Sequence, residues 1–398
     1  MQPQPLILRK DQERRLLAGH CWIYSNEVDT DETPLKGLEP GQPVEVISQR
    51  GRWLGYGYVN PHSLICARLL SRDRSQPPGP TFWLKRLHQA LSLRERLYER
   101  PFYRLVFGEA DGLPGLIVDR YDDLLAVQLT TAGMEHCRAE ILTALEQVLR
   151  PQAIVLRNDT PVRELEGLEQ GVEWVLGEPR TEVRVSEEGL VFAIDPGRGQ
   201  KTGWFFDQAE NRKRLARYGV GQRVLDVFSY LGAWGLRAAA LGAQEVLCID
   251  SSTEALQALM INAERNGLAG RIQTLQGDAF EHLRALREQG ERFDTLILDP
   301  PAFIKRRKDE PEGLAAYRQI NRLGLELLRP DGLLITSSCS FHLGRETFQR
   351  LVQQAAQRNG RRIQILEVGQ QGPDHPIHPA IPETAYLKTL VVRAWSGD

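Results

Sequence analysis

The chain is poor in sulfur, with five cysteines and three methionines in 398 residues. The cysteines are odd in number and scattered (Cys21, Cys66, Cys137, Cys248, Cys339), and none has the paired spacing of a zinc site or a disulfide framework. A disulfide-stapled secreted scaffold is therefore excluded, and a reducing cytoplasm is the expected compartment. No stretch approaches the roughly twenty uncharged apolar residues of a membrane span. Met1-Gln2-Pro3-Gln4-Pro5 lacks the basic-then-apolar order of a secretion leader, so no membrane partner is expected. Net charge is nearly absent at −2, so the total says nothing for nucleic acid and only the distribution can. Also missing is a Gly-x-Gly-x-x-Gly fingerprint, which argues against a nicotinamide dehydrogenase. There are no internal repeats and no low-complexity tract.

Length alone suggests two or three domains. The clearest linker is Ser75-Gln76-Pro77-Pro78-Gly79-Pro80. Before it, Val44–Val46, Trp53–Val59 and Ile65–Leu69 read as short strands of a β-rich module, residues 1–73. After it, an α+β module over 81–185 begins with a helix at Phe82–Tyr98. A punctuated hairpin over Gly108–Leu129, a helix near Glu135–Leu149 and a strand at Ala153–Leu156 complete it. In the third segment, 186–398, strands at Arg223–Val227, Glu245–Ile249, Ile272–Gln276, Thr295–Leu298 and Leu333–Thr336 alternate with helices at Ser252–Asn266 and Leu314–Leu328. That repetition predicts a doubly covered parallel sheet, finished by Ile363–Val368 and Tyr386–Val392.

The strand ends carry the chemistry, as expected of parallel α/β sheets. The first strand runs through Asp226 into the bulky turn Phe228-Ser229-Tyr230-Leu231-Gly232, which suits a ligand without phosphates. Asp250 follows Asp226 by 24 residues and suits ribose hydroxyls, whereas Asp278, beside Ala279, is in reach of an adenine amino group. Asp226 is the candidate for an ammonium. Adenosine without phosphates plus an amino acid describes S-adenosyl-L-methionine, with Asp226, Phe228, Ser229, Gly232, Asp250, Asp278, Ala279 and Asp299 expected to line its site. The alternative for Asp250 and Asp278 is helix capping.

Two further turns follow. Asp299-Pro300-Pro301-Ala302-Phe303 ends the fourth strand, and Ser337-Ser338-Cys339-Ser340 ends the fifth. A thiol facing an Asp-Pro-Pro turn is what methylation of a pyrimidine ring carbon requires. Cys339 and Asp299 are the candidate catalytic pair; the other four cysteines read as inert core residues. Basic residues gather at 196–217 (Arg198, Lys201, Arg212, Lys213, Arg214, Arg217) and at Lys305-Arg306-Arg307-Lys308, which abuts the Asp-Pro-Pro turn where a phosphate backbone would pass; the alternative for each cluster is a solvated surface. Asp374-His375-Pro376-Ile377-His378-Pro379 is a poor metal cage, so no metal is expected and the loop reads as a border of the substrate cleft.

With these motifs the chain resembles the ribosomal RNA large-subunit methyltransferase I family, class I S-adenosylmethionine-dependent enzymes making 5-methylcytidine in 23S rRNA. Leu6–Lys10, Gly19–Tyr24 and Gly55-Tyr56-Gly57 resemble that family's amino-terminal PUA RNA-binding domain. Lys201–Gln208 with Asn211-Arg212 is similar to its lead-in, and the Asp-Pro-Pro and Ser-Cys-Ser runs stand at its catalytic motifs. The resemblance implies a PUA-like domain, an α+β middle and a Rossmann-like methyltransferase domain, with Cys339 attacking carbon 6 of cytosine, Asp299 at the base edge and Phe303 stacking on the base. Expected partners are 23S rRNA or a large-subunit assembly intermediate, with a homodimer allowed. Where some RNA 5-methylcytosine enzymes carry a second cysteine, this chain has Pro300. The base that takes the carbon-5 proton is therefore open, with Glu383 one candidate. Two other functions stay open: exocyclic-amine methylation of adenine or guanine, which does not need Cys339, and a non-catalytic RNA-binding assembly role.

Overall fold

The computed structural model describes residues 3–396, so Met1 and Gln2 of the amino-terminal run and the last two residues of the 186–398 segment lie outside it. The chain forms two compact units. One comprises the residues up to Val183 with Asp195–Phe206 and Pro373–Thr384; the other comprises Arg184–Ile194, Asp207–Gly372 and the residues from Ala385 onward. Among the described residues no helix is long and apolar enough to cross a membrane.

The first unit holds two five-stranded sheets. Residues 4–71 supply one, around a core that includes Leu6, Leu8, Ile23, Val44, Val46 and Ile381. The other carries the helices Pro80–Leu97 and Arg138–Leu149, and Pro80 takes the first helical turn, where a missing N–H costs nothing. Tyr58 joins the two sheets: its ring is part of the second core, its hydroxyl donates to the Pro114 carbonyl at 2.7 Å, and it shares a hydrogen bond with Thr131 Oγ1 at 2.9 Å. The Asp374-His375 pair belongs to this unit. His375 Nδ1 meets Asp374 Oδ1 at 2.9 Å, and the other oxygen accepts the Arg104 amide at 2.9 Å, so both residues are committed to local structure.

The second unit is a seven-stranded sheet. Its strands are β1 (Arg223–Val227), β2 (Glu245–Asp250), β3 (Ile272–Gln276), β4 (Phe293–Leu298), β5 (Leu328–Ser338), β6 (Arg361–Gly369) and β7 (Lys388–Ser396), in the order 3-2-1-4-5-7-6. The helices between its strands are α1 (Ala233–Ala240), α2 (Thr253–Arg265), α3 (Ala279–Glu288), α4 (Glu310–Leu327) and α5 (Arg345–Arg358). Four crossovers, through α1 to α4, link β1 to β5, and all the pairings among these strands are parallel. β7 departs from the expected all-parallel sheet, running antiparallel to both β5 and β6. The cause lies in the connection. Pro373, Pro376, Pro379 and Pro382 interrupt the segment between β6 and β7, so no crossover helix forms and the chain returns antiparallel.

Apolar strand residues such as Leu225, Leu296 and Leu298 pack against Tyr317, Ile320 and Phe348 of the helices. Burying each large side chain contributes about 1.5–3 kcal/mol before entropy is counted. The strand order reverses between β1 and β4, and that reversal opens a crevice at their carboxyl ends.

Candidate active site

Asp226 is the penultimate residue of β1 and is fully buried. Its Oδ2 accepts the Gly235 amide of α1 at 2.8 Å, while Oδ1 has no hydrogen-bond partner among the described residues. Burial pushes its carboxyl up to about 8, reinforced by Asp299 and Asp250 and opposed by the Gly235 amide. The close approach needs glycine: a Cβ on Gly235 would lie 2.7 Å from Cys248 Sγ and 3.1 Å from Asp226 Oδ2.

The following turn is strained. Phe228 (φ 67°) and Tyr230 (φ 48°) both adopt the left-handed region, at about 1–3 kcal/mol each. The Ile249 carbonyl at the end of β2 holds them there, accepting the Phe228 amide at 2.8 Å and the Ser229 amide at 3.1 Å. Gly232 closes the turn at φ 83°, where a Cβ would also meet Leu259 Cγ at 2.6 Å.

Asp250 ties this turn to the next: its two oxygens accept the amides of Tyr230 (2.8 Å) and Ser252 (3.0 Å). Ser252, not Asp250, caps α2, its hydroxyl accepting the Ala255 amide at 3.1 Å. Asp278 does cap α3, accepting the Glu281 amide at 3.0 Å; it is exposed, and Ala279 beside it is buried. Each carboxylate oxygen has a second lone pair, so these duties leave room for a ligand's donors. An unpartnered buried carboxylate oxygen, flanked by carboxylates at the ends of β2 and β3, fits the ammonium and the hydroxyls of S-adenosylmethionine.

Asp299 follows β4. Its oxygens accept Gln208 Nε2 at 2.7 Å and Trp234 Nε1 at 3.0 Å, and burial raises its pKa, with Asp207 adding to the rise. Gln208 is in turn held by Asn211 Nδ2 at 2.7 Å, so a chain of amides sets the carboxylate's orientation. Gln208 lies inside the lead-in run, but nothing in that run signals that it orients Asp299.

Cys339 is half-buried immediately after β5, with Sγ 3.9 Å from the Pro300 carbonyl, so the Ser-Cys-Ser and Asp-Pro-Pro turns are neighbours. Ser340 secures the thiol loop. Its Oγ accepts the Ile304 amide at 3.1 Å and pairs with the Tyr317 hydroxyl at 2.9 Å, and its carbonyl accepts Lys388 Nζ at 2.6 Å. Phe303 packs on Tyr317, ring centroids 4.8 Å apart, so one side of it is already occupied. Burial pushes the thiols of Cys21, Cys66 and Cys137 up to about 12 and that of Cys248 well above its usual range. Glu383 is exposed and belongs to the other compact unit.

The basic clusters differ. Arg212 is buried on Glu187 (2.5 and 2.7 Å), Arg214 and Arg217 reach Glu367, and Lys213 lies 3.9 Å from Glu188. Four of the six cations expected as a strip at 196–217 therefore serve ion pairs, because acidic partners far away in sequence fold onto them. Lys305–Lys308 are all exposed, with Arg306 near Asp309.

Residues 6–72 match the model of a PUA-like domain, and residues 127–393 match that of an S-adenosylmethionine-dependent methyltransferase. Ribosomal RNA large subunit methyltransferase I of Tolumonas auensis is 41% identical over 98% of this chain and 99% of its own. Its counterpart in Klebsiella pneumoniae is 37% identical over 98% of each chain. The solved chain SMU.776, complexed with SAH, superposes with a TM-score of 0.84 at 22% identity over 98% of this chain and 100% of that one, a likeness of fold.

Proposed function

The chain belongs to the ribosomal RNA large subunit methyltransferase I family of S-adenosylmethionine-dependent methyltransferases, and we propose that it methylates carbon 5 of a cytosine in 23S rRNA through a covalent Cys339 adduct. One observation carries the chemical reading: the Cys339 thiol lies 3.9 Å from the Pro300 carbonyl, the residue after a carboxylate whose orientation Gln208 and Trp234 fix.

Carbon 5 of cytosine is too weak a nucleophile on its own, and thiolate addition to carbon 6 corrects this. The sulfur–C6 bond forms as the C5–C6 π pair moves to C4–C5 and the C4–N3 pair moves onto N3, which takes up a proton. Asp299 stands at N3, where its burial-raised pKa eases the sharing of that proton. Asp226, Asp250 and Asp278, with the 228–232 turn and Ala279, would hold S-adenosylmethionine, which would supply the electrophilic methyl group that carbon 5 takes, with S-adenosylhomocysteine as the leaving group. Once carbon 5 is methylated, N3 releases its proton and the C4–N3 bond is restored. Loss of the carbon-5 proton to a base then returns a π pair to C5–C6 and expels the Cys339 thiolate. Cytosine in a duplex must first be flipped out. The PUA-like domain and the exposed Lys305–Lys308 run grip the RNA.

The test uses 5-fluorocytosine-substituted rRNA with S-adenosylmethionine, comparing wild type with Cys339→Ala. Fluorine blocks the proton loss, so a covalent complex on a denaturing gel is expected from the wild type alone. With methyl transfer to ordinary rRNA established, no complex and an undiminished rate in Cys339→Ala would point instead to exocyclic-amine methylation.

A further inference from the structure

Lys388 opens β7 and is the register partner of Ser338, the residue before Cys339. It is only 5% exposed. An ammonium has three donors, and among the described residues Lys388 makes one hydrogen bond, to the Ser340 carbonyl at 2.6 Å. Burying a cation with one neutral acceptor is costly unless a negative charge stands nearby. The charged and titratable groups around it are few. Arg345 begins α5 and disfavours its charge; Tyr317 on α4 is kept protonated by burial; Cys339, once ionised, favours it. Burial brings the Lys388 pKa down to about 8, with an ionised Cys339 opposing the fall and Arg345 adding to it, while the Ser340 bond and the Ser338 register place the ammonium at the thiol loop.

We propose that Lys388 is the positioning cation of the thiol loop: anchored on the Ser340 carbonyl, its ammonium holds Cys339 as the thiolate before RNA arrives. Ionisation sends the thiol proton to solvent, and Lys388 keeps its own proton below about pH 8. The inference rests on the reading of Cys339 as the nucleophile, but it makes its own claim about charge.

Alkylation separates the two. Full-length wild type, Lys388→Met and Lys388→Arg are treated with iodoacetamide across pH 5–10, and each cysteine peptide is quantified by mass spectrometry. Cys21, Cys66, Cys137 and Cys248 are expected to stay slow in all three and so report an intact fold. Cys339 in the wild type is expected to ionise below the ordinary thiol value of about 8.5. Lys388→Met should raise that midpoint by at least about one unit and slow alkylation at pH 6 about tenfold, because only the thiolate reacts. Lys388→Arg should keep most of the reactivity. An unchanged profile in Lys388→Met overturns the proposal. Should that variant fail to fold, a midpoint in Lys388→Arg as high as an ordinary thiol overturns it instead. If the midpoint shifts but 5-fluorocytosine RNA never forms an adduct with wild type, the nucleophile reading fails and the charge pairing stands.

Discussion

The two halves of the crevice are built differently. At the carboxyl ends of β1, β2 and β3 each carboxylate is bonded to the backbone: Asp226 to Gly235, Asp250 to Tyr230 and Ser252, Asp278 to Glu281. Beyond β4 and β5, among the described residues, the candidate reacting groups take no backbone amide on a side-chain oxygen: Asp299 holds the side chains of Gln208 and Trp234, while Cys339 and Lys388 each meet a backbone carbonyl. On the proposed cofactor side, ligand binding is superposed on residues the fold already needs. On the other side the groups can be changed with less damage to the fold. The difference predicts where stability and activity travel together and where they part.

The sharpest separation is expected at Asp299. Asp299→Asn should lower methyl transfer by about 10²–10³, the range for losing one preorganised polar group at a reacting centre. Its cost in stability should stay within about 1–3 kcal/mol, since one of two hydrogen bonds is lost and a donor faces a donor. Turnover and thermal melts on the same preparation check this. A large loss of stability with an undiminished rate would abolish the contrast between the halves.

Asp226 should behave in the opposite way. Its folded pKa is raised to about 8 from an unfolded value of about 3.9. The stability linked to its protonated form is fully present below the unfolded value and is lost as pH rises through about 8. Asp226→Asn should flatten that part of the pH–stability curve. On the proposed pairing of Asp226 with the cofactor's ammonium, S-adenosylmethionine binds the ionised carboxylate, so wild-type affinity should rise about tenfold per pH unit toward 8 and level off above it, with a proton released on binding. Calorimetry in buffers of different ionisation heat reads that proton directly. Wild-type affinity that does not vary with pH would separate Asp226 from the ammonium.

Much of this was legible in the sequence, for a physical reason. Parallel strands alternate with helices, so β1 and β3 stand at the residues that this repetition assigned to them, and the carboxylates at the strand ends were visible there. Lys388 was not visible. Its place beside Cys339 follows from the antiparallel register of β7, which brings together residues 49 apart and which strand periodicity does not encode. Gln208 reaches Asp299 across 91 residues and was hidden in the same way.

The basic clusters repeat the contrast between groups committed to the fold and groups left over, with the smallest expected effect on catalysis. Both looked alike in sequence, yet Arg212 is locked on Glu187 and Lys305–Lys308 are exposed. Arg212→Gln should destabilise the protein by about 1–3 kcal/mol, because it takes a charge-assisted partner from the part-buried Glu187 carboxylate, and should leave the salt dependence of RNA binding as it was. Replacing Lys305, Arg306, Arg307 and Lys308 with Gln should leave the melting temperature nearly unchanged. It should weaken RNA binding regardless of sequence and shallow the plot of log affinity against log salt by about 0.7 for each phosphate of single-stranded RNA that is no longer neutralised. Titrations at four salt concentrations decide it. An unchanged slope would mean that these four cations only solvate the surface and that RNA takes another path.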